Sequence, residues 1–445
     1  MSPLQLSFLN LIRLGLGIEM PDSGSTGSPT VGQDGGVQPE QQCGVQPESG
    51  QGLVPAWPIY YEMAVRQGLQ AIALDGATRL LEGKNSPEID PDLRKQWVAA
   101  VLHEEVMASL QKTESSRMGR LFEKNGIRTY VLKGAVVAEC YPNPVHRPSA
   151  DLDCFLQPIA GTQSANPAEL HVGTQAANPA AHHAGDQPAA PSRPAKTPAA
   201  SAKPASVTTA PAANPNPATH DTAWELGNAI IEKAGLKVER DFYKNSTFFL
   251  SGLMVENHRF LTPFRGNPLL TGLEHLLQDL LKADEGKDTI ESSSLCRPPV
   301  MVTALFLVEH AYSHFLHEGL TWRHILDWMM FSRRHQDDID WPEFNRRIDE
   351  FGFRRFYDSF VQLGAFLLGE VSEEDLSKAD RMMLSDVWAP LDLHETLRGF
   401  KGKLNLAGNT IRARWKYRLF SEYSMPRALW IQVKGFFFIR HPQIP

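Results

Sequence analysis

Apolar residues recur at helical spacing over most of this chain and cluster into strand-like runs at only a few places. Near the start, Leu4, Phe8, Leu11, Ile12 and Leu16 share one side of a helix over residues 1–20. Arg13 sits inside that stripe and no charged stretch precedes it. The pattern therefore predicts an amphipathic helix packed on the body rather than a signal peptide. Residues 55–125 also read as helical. Ala64, Leu69, Ile72 and Leu81 stand among helix formers. A longer run over 92–124 carries Trp97, Val101, Val106, Leu110 and Leu121, and Gly126 ends it. The period then changes. Ile127 to Leu132 has strand composition, Gly134 to Tyr141 predicts a short helix stopped by Pro142, and Asp151 to Leu156 predicts a second strand. Further on, 222–235 reads as a helix, and 236–242 and 247–261 as strands. From about 268 helical stripes return, first Leu305, Val308, Tyr312 and Phe315, then Ile325, Trp328 and Met329.

Two segments carry no such pattern. Residues 21–54 are rich in Gly, Ser, Pro and Gln and repeat Gly-Val-Gln-Pro-Glu. Residues 158–220 hold 19 Ala and 11 Pro and no aromatic residue. Pro at that density blocks helices and sheet ladders, and too little apolar surface is present to offset the entropy of ordering. Both read as disordered insertions. The expected organisation is an N-terminal helix (1–20), a disordered linker (21–54) and a helical region (55–125). A core split into 126–157 and 221–290 by the 158–220 insertion follows, then a helical domain (296–393) and a tail (394–445). The fold class is α+β: a small mixed sheet with helical regions at both ends.

Composition changes this picture in two ways. The 445 residues are 42% hydrophobic, enough for a sizeable core, and the net charge is −7. That charge is unevenly spread: from Thr396 onward there are ten Lys/Arg and one acidic residue, Glu422. A basic tail on an acidic body suggests an anionic partner. In Arg412-Ala-Arg-Trp-Lys-Tyr-Arg-Leu-Phe420 and Trp430 to Phe438, basic and aromatic residues interleave. The tail can contact RNA, lie on an anionic membrane surface, or pack on the body with a solvated basic face. The four cysteines, Cys43, Cys140, Cys154 and Cys296, are scattered, which fits a reducing cytoplasm. No apolar run reaches the roughly 18–20 residues needed to span a bilayer.

The candidate chemistry centres on Asp151 and Asp153. On a strand, residues two apart point to one face. Two neighbouring carboxylates repel unless a cation lies between them, and a hard ion such as Mg²⁺ prefers such oxygens. Just upstream, a strand ends at Lys133-Gly134 and runs into a helix. Glycine there allows close backbone approach to a phosphate, and Lys133 adds a mobile positive charge. Arg147 offers a bidentate phosphate contact.

Leu132-Lys-Gly, Tyr141-Pro-Asn-Pro, Arg147 and Asp151-Leu-Asp together resemble the polymerase-β-type nucleotidyltransferase superfamily. More narrowly, they resemble the bacterial family of uncharacterised nucleotidyltransferases. The likeness continues in Met254-Val-Glu-Asn-His258, His310-Ala-Tyr-Ser-His314 and Trp322 to Met330. It implies an enzyme that binds NTP with Mg²⁺ (or Mn²⁺) and transfers NMP to a hydroxyl of a protein, an RNA or a small molecule. Asp151, Asp153 and Glu256 would then be the metal-binding and catalytic carboxylates, and Lys133, Gly134 and Arg147 would bind the nucleotide. Most active members of the superfamily have Gly-Ser in the turn, where this chain has Gly134-Ala135, and Asn257 occupies a position usually apolar. Those departures motivate an alternative: a catalytically inactive protein of the same fold that binds or regulates. Separately, His310 and His314 lie four apart with His317, His324 and Asp327 nearby. They form a metal site, or else pack the helix or line the substrate pocket. Ala311 stands where a zinc-protease helix would carry Glu.

Overall fold

The computed structural model describes residues 1–18, 56–82, 88–149, 151–159, 220–240, 244–264, 266–291, 293–388 and 413–437. The expected insertion 21–54 lies outside these residues, as does 158–220 apart from its first two residues and its last.

Four helices precede the sheet: α1 (Pro3–Gly15), α2 (Trp57–Gln67), α3 (Gln70–Leu81) and α4 (Pro91–Lys124). A capping box between Ser2 and Gln5 starts α1, and Phe8, Leu9, Leu11 and Ile12 are fully buried. Gly15 and Gly76 let α1 and α3 cross closely: a Cβ on Gly76 would lie 2.0 Å from the Leu11 carbonyl oxygen. Arg13 donates from Nε to the Leu367 carbonyl (2.8 Å) and from Nη2 to the Phe366 carbonyl (2.6 Å). These carbonyls close helix α11 (Arg354–Leu368), so the cation within the apolar stripe serves as a helix C-terminal cap. Asp90, capping the amides of Asp92 and Leu93, and Pro91 at the first helical position start α4.

The sheet has six strands: β1 (Ile127–Val131), β2 (Asp151–Pro158), β3 (Glu239–Arg240), β4 (Asn245–Leu250), β5 (Leu253–His258) and β6 (Leu295–Cys296). Their order is β3-β4-β5-β2-β1-β6. β2 runs antiparallel to β1 and parallel to β5, so the sheet is mixed. One sequence expectation changes here, and one strand was not foreseen. The single strand over 247–261 is a hairpin, because Ser251 and Gly252 both take positive φ (49° and 90°) in a two-residue turn. The apolar residues on either side obscured the Ser-Gly turn. The two-residue edge strand β6, too short to carry a period, pairs in parallel with β1.

Between β1 and β2 lie α5 (Ala135–Ala138) and a 3₁₀ turn (Pro144–His146), and α6 (His220–Lys233) follows β2. One sheet face sends Leu152, Cys154, Leu156 and Val255 against Met118 and Phe122 of α4 and Leu226 and Ile230 of α6. Each such buried aliphatic side chain contributes about 1.5–3 kcal/mol. On the opposite face Tyr130, Phe155 and Cys296 join a larger core. That core is shared with α7 (Pro268–Ala283), α8 (Val300–His317), α9 (Trp322–Arg334), α10 (Trp341–Glu350), α11 and α12 (Lys378–Trp388). Within the tail, α13 (Arg414–Phe420) packs on this body, its buried Lys416 donating from Nζ to the Phe315 carbonyl (2.6 Å) and to Asp386 (2.7 Å). The final described helix, α14 (Met425–Phe437), exposes Leu429, Trp430 and Val433. No helix among the described residues is long and apolar enough to cross a membrane.

One group on α4 gives a pH-dependent stability. Glu104 Oε2 is buried without a hydrogen-bond partner, and burial pushes the carboxyl from 4.5 to about 7, against the opposing charge of His146. A carboxyl raised in the fold favours the neutral form, so the folded state loses stability as pH climbs from about 4.5 to about 7. Glu104→Gln removes that penalty. After discounting for solvent screening, it is expected to add roughly 1–2 kcal/mol at pH 8 and nothing near pH 4. Thermal melts of both proteins at the two pH values check this. An equal change at both would refute the assignment.

Candidate active site

The parallel pairing of β2 with β5 sets Asp153 opposite Glu256, and Asp151 opposite Met254. Side chains two apart share a face, so Asp151, Asp153, Glu256 and His258 project together. Gln111 of α4 donates from Nε2 to the Asp151 carbonyl (2.9 Å), and the Ser149 hydroxyl donates to the same oxygen (2.9 Å). These bonds pin the start of β2. Leu132 donates its amide to the Asp153 carbonyl (3.0 Å), which brings the next residue, Lys133, over the carboxylates.

Lys133 Nζ lies 3.1 Å from Asp153 Oδ2 and 3.6 Å from Asp151 Oδ2. It also lies 3.4 Å from His310 Nε2. Asp153 Oδ2 is buried and meets no donor at hydrogen-bonding geometry, so its contact with the ammonium is an ion pair without a directed bond. Burial alone would lower Lys133, but Asp153 and Asp151 outweigh it and hold its pKa up. Gly134 follows at φ 66°, ψ −110°, a conformation that side chains resist, and it opens α5.

His258, buried on the same strand face, approaches Asp153 Oδ1 with its Nε2 (3.0 Å) and Glu256 Oε2 (3.5 Å). Burial works against its charge, but bonds to Asp153 and Glu256 raise its pKa above the ordinary histidine value. Asp153 is itself fully buried. Lys133 and His258 overcome that burial and hold it well below the usual carboxylate range. The Glu256 carboxyl is lowered chiefly by His258, whereas Asp151 is raised by burial and by the charge of Asp153. Asp153, Glu256 and His258 each bring one ligand atom to within 4.8 Å of the others, around the orphaned Asp153 oxygen, and Asp151 adds a carboxylate on the same face. The carboxylate oxygens of this group fit a hard divalent ion. The polar side chain of Asn257 points to the opposite face and donates to Asn228 Oδ1 (3.1 Å), so it leaves Glu256 undisturbed.

Arg147 is placed differently from the phosphate contact expected of it. Its guanidinium is buried and meets Asp327 of α9 in a bidentate pair, Nε to Oδ1 at 3.0 Å and Nη2 to Oδ2 at 2.7 Å. Tyr141 donates its hydroxyl to the same carboxylate (2.7 Å). The Tyr-Pro segment, Arg147 and α9 are thereby tied into one unit beside the strand that carries Asp151.

Sequence reasoning missed Arg323 and the role of His258. Arg323, on the first turn of α9, bears electrostatically on Lys133 and Asp151 and contacts the Pro148 carbonyl (3.4 Å). A lone cation before the apolar Ile325–Met330 run was its only signal. For His258 the signal was the alternation Met254, Glu256, His258, which sets it on the Glu256 face.

The family model described as an uncharacterised nucleotidyltransferase matches residues 55–166 and 221–369. No curated protein and no solved structure matches the chain. The family match breaks where the Ala/Pro-rich stretch lies, resumes at α6, and takes in the carboxylate strands, the Lys133-Gly134 turn and α9. With more than half of its residues matched, this chain belongs to the uncharacterised nucleotidyltransferase family.

Proposed function

We propose that the protein transfers a nucleoside monophosphate from an NTP to a hydroxyl acceptor, with Mg²⁺ or Mn²⁺ as cofactor. The observation that carries this reading is the alignment of Asp153 and Glu256 across parallel strands, with Asp151 on the same face and Lys133 between the carboxylates. Asp151, Asp153 and Glu256 would hold the cation, which when bound neutralises triphosphate charge and acidifies the attacking hydroxyl. Lys133 and Arg323 are the cations best placed to grip the triphosphate, with the Gly134 turn giving its backbone close approach. The acceptor oxygen bonds to the α-phosphorus, the bond to the β-phosphate oxygen breaks, and pyrophosphate leaves. The acceptor proton passes to Glu256, which His258 keeps ionised. His258 also orients Asp153 through Oδ1, leaving Oδ2 for the cation. Arg147 is assigned a positioning role, holding the loop before β2 against α9.

The test is transfer of label from each of the four α-labelled NTPs, with Mg²⁺ or Mn²⁺, to the protein itself, to partner proteins or to RNA. Intact mass reports any added NMP. Transfer that disappears in Asp151→Ala, with an unchanged circular dichroism spectrum, is the expected result. Absence of both transfer and NTP binding across the screen sinks the proposal. Ala135, which removes the usual turn hydroxyl, favours a second reading as an inactive binding or regulatory module. In that case NTP binds, and Asp151→Ala leaves the biological role intact.

A further inference from the structure

His310 and His314 occupy the last two turns of α8, and His324 the first turn of α9. The helix pair brings one nitrogen from each ring to within 4.8 Å of the others. The ring centroids lie 4.5 Å apart for His310–His314 and 4.7 Å for His314–His324. Convergence of three imidazoles is uncommon in a packing role, because each ring needs a donor or acceptor to meet it. Each of the three has one nitrogen held from outside the cluster, and for His310 it is Nε2, 3.4 Å from the Lys133 ammonium. His314 Nδ1 faces Glu318 Oε2 at 2.8 Å, which leaves Nε2 as the nitrogen available to an ion. His324 Nδ1 accepts from the Thr321 amide (3.2 Å) and lies 2.9 Å from the Thr321 hydroxyl, while its Nε2 is buried with no hydrogen-bond partner. His310 is held in place by its stack on Phe306.

We propose that His310, His314 and His324 form a binding site for a borderline transition-metal ion, Zn²⁺ above all, adjoining but distinct from the carboxylate site. Neutral imidazoles suit such an ion, whereas the hard oxygens of Asp151, Asp153 and Glu256 suit Mg²⁺. Burial above all, helped by the charge of Lys133, pushes the pKa values of His310 and His324 down and keeps both rings neutral. Glu318 on His314 supplies the carboxylate that commonly orients a metal-bound histidine. Ligation through Nε2 draws on the other tautomer of His324, in which Nδ1 gives up the bond it accepts from the Thr321 amide and donates to the Thr321 hydroxyl instead. The neighbouring ammonium of Lys133 is balanced by two carboxylates and does not leave net positive charge against the ion. The His314 side chain stays 28% exposed, which gives an ion a route in.

The experiment uses the full chain after chelation, without nucleotide, titrated with Zn²⁺ by calorimetry and with Co²⁺ by visible absorption. One ion per chain is expected, with the intense visible bands of low-coordinate, nitrogen-bound Co²⁺. Asp151→Asn/Asp153→Asn keeps all three ligands and is expected to weaken binding less than either histidine change, through the uncompensated charge of Lys133 alone. His314→Gln and His324→Gln are each expected to weaken it about tenfold or more with unchanged circular dichroism. Binding that survives the histidine changes but disappears in the aspartate variant overturns the proposal, as does the absence of saturable binding. If a histidine variant fails to fold, the wild-type Co²⁺ spectrum decides alone: weak six-coordinate bands refute the site. No readout depends on nucleotidyl transfer, so this proposal and the proposed function fail separately.

Discussion

Asp153→Asn is expected to lower nucleotidyl transfer about a thousandfold or more while the chain stays folded. Among the carboxylates of the site, Asp153 meets both Lys133, through Oδ2, and His258, through Oδ1, and its strand partner is Glu256. Replacement by an amide keeps the shape and removes the charge that would hold a cation. About 4 kcal/mol of lost transition-state stabilisation corresponds to that thousandfold. The buried position makes folding a concern, so a second readout accompanies activity. Asp153 helps hold the His258 pKa up, and losing its charge must bring that pKa down. An imidazole titration by NMR follows this in the folded variant. Transfer that persists in a folded Asp153→Asn protein with a lowered His258 pKa removes Asp153 from the chemistry.

The second large effect concerns stability. Arg147→Met is expected to cost about 3–5 kcal/mol, because it strands the Asp327 carboxylate in the interior with Tyr141 as its remaining donor. Asp327 is kept below the usual carboxylate value, against burial, by Arg147. Its contribution is therefore present above the unfolded value and is lost as pH falls through the lower folded one. The gap between wild type and Arg147→Met, measured by urea unfolding, narrows in strongly acidic solution. Arg147→Met/Asp327→Leu recovers part of the loss, since replacing both partners leaves no buried charge alone. This experiment also separates the two roles considered for Arg147. A variant within about 1 kcal/mol of wild type that no longer binds NTP makes Arg147 a phosphate ligand instead.

The sequence by itself determined the kinds of element and the chemistry available. Helical stripes such as Leu305, Val308, Tyr312 and Phe315 follow from a period that only one backbone geometry satisfies. The same is true of Asp151 and Asp153 sharing a face, since alternation is a property of any extended strand. Lys133-Gly134 was legible because glycine at positive φ and a strand-to-helix turn are both local. What local signals could not supply was register and partnership. Parallel strands are joined through a long connection, so nothing near Asp153 in the chain says that Glu256 will lie opposite it. The same holds for Arg147. A guanidinium suits phosphate and carboxylate equally well, and its choice of Asp327 is set by the packing of α9, 180 residues away. The histidines of α8 and α9 are likewise separate motifs until the two helices pack. Asp151 and Asp153 began as two acids at strand spacing. The tertiary structure brought Glu256 and His258 to their face because burying the sheet on both sides fixes the register of β5 against β2.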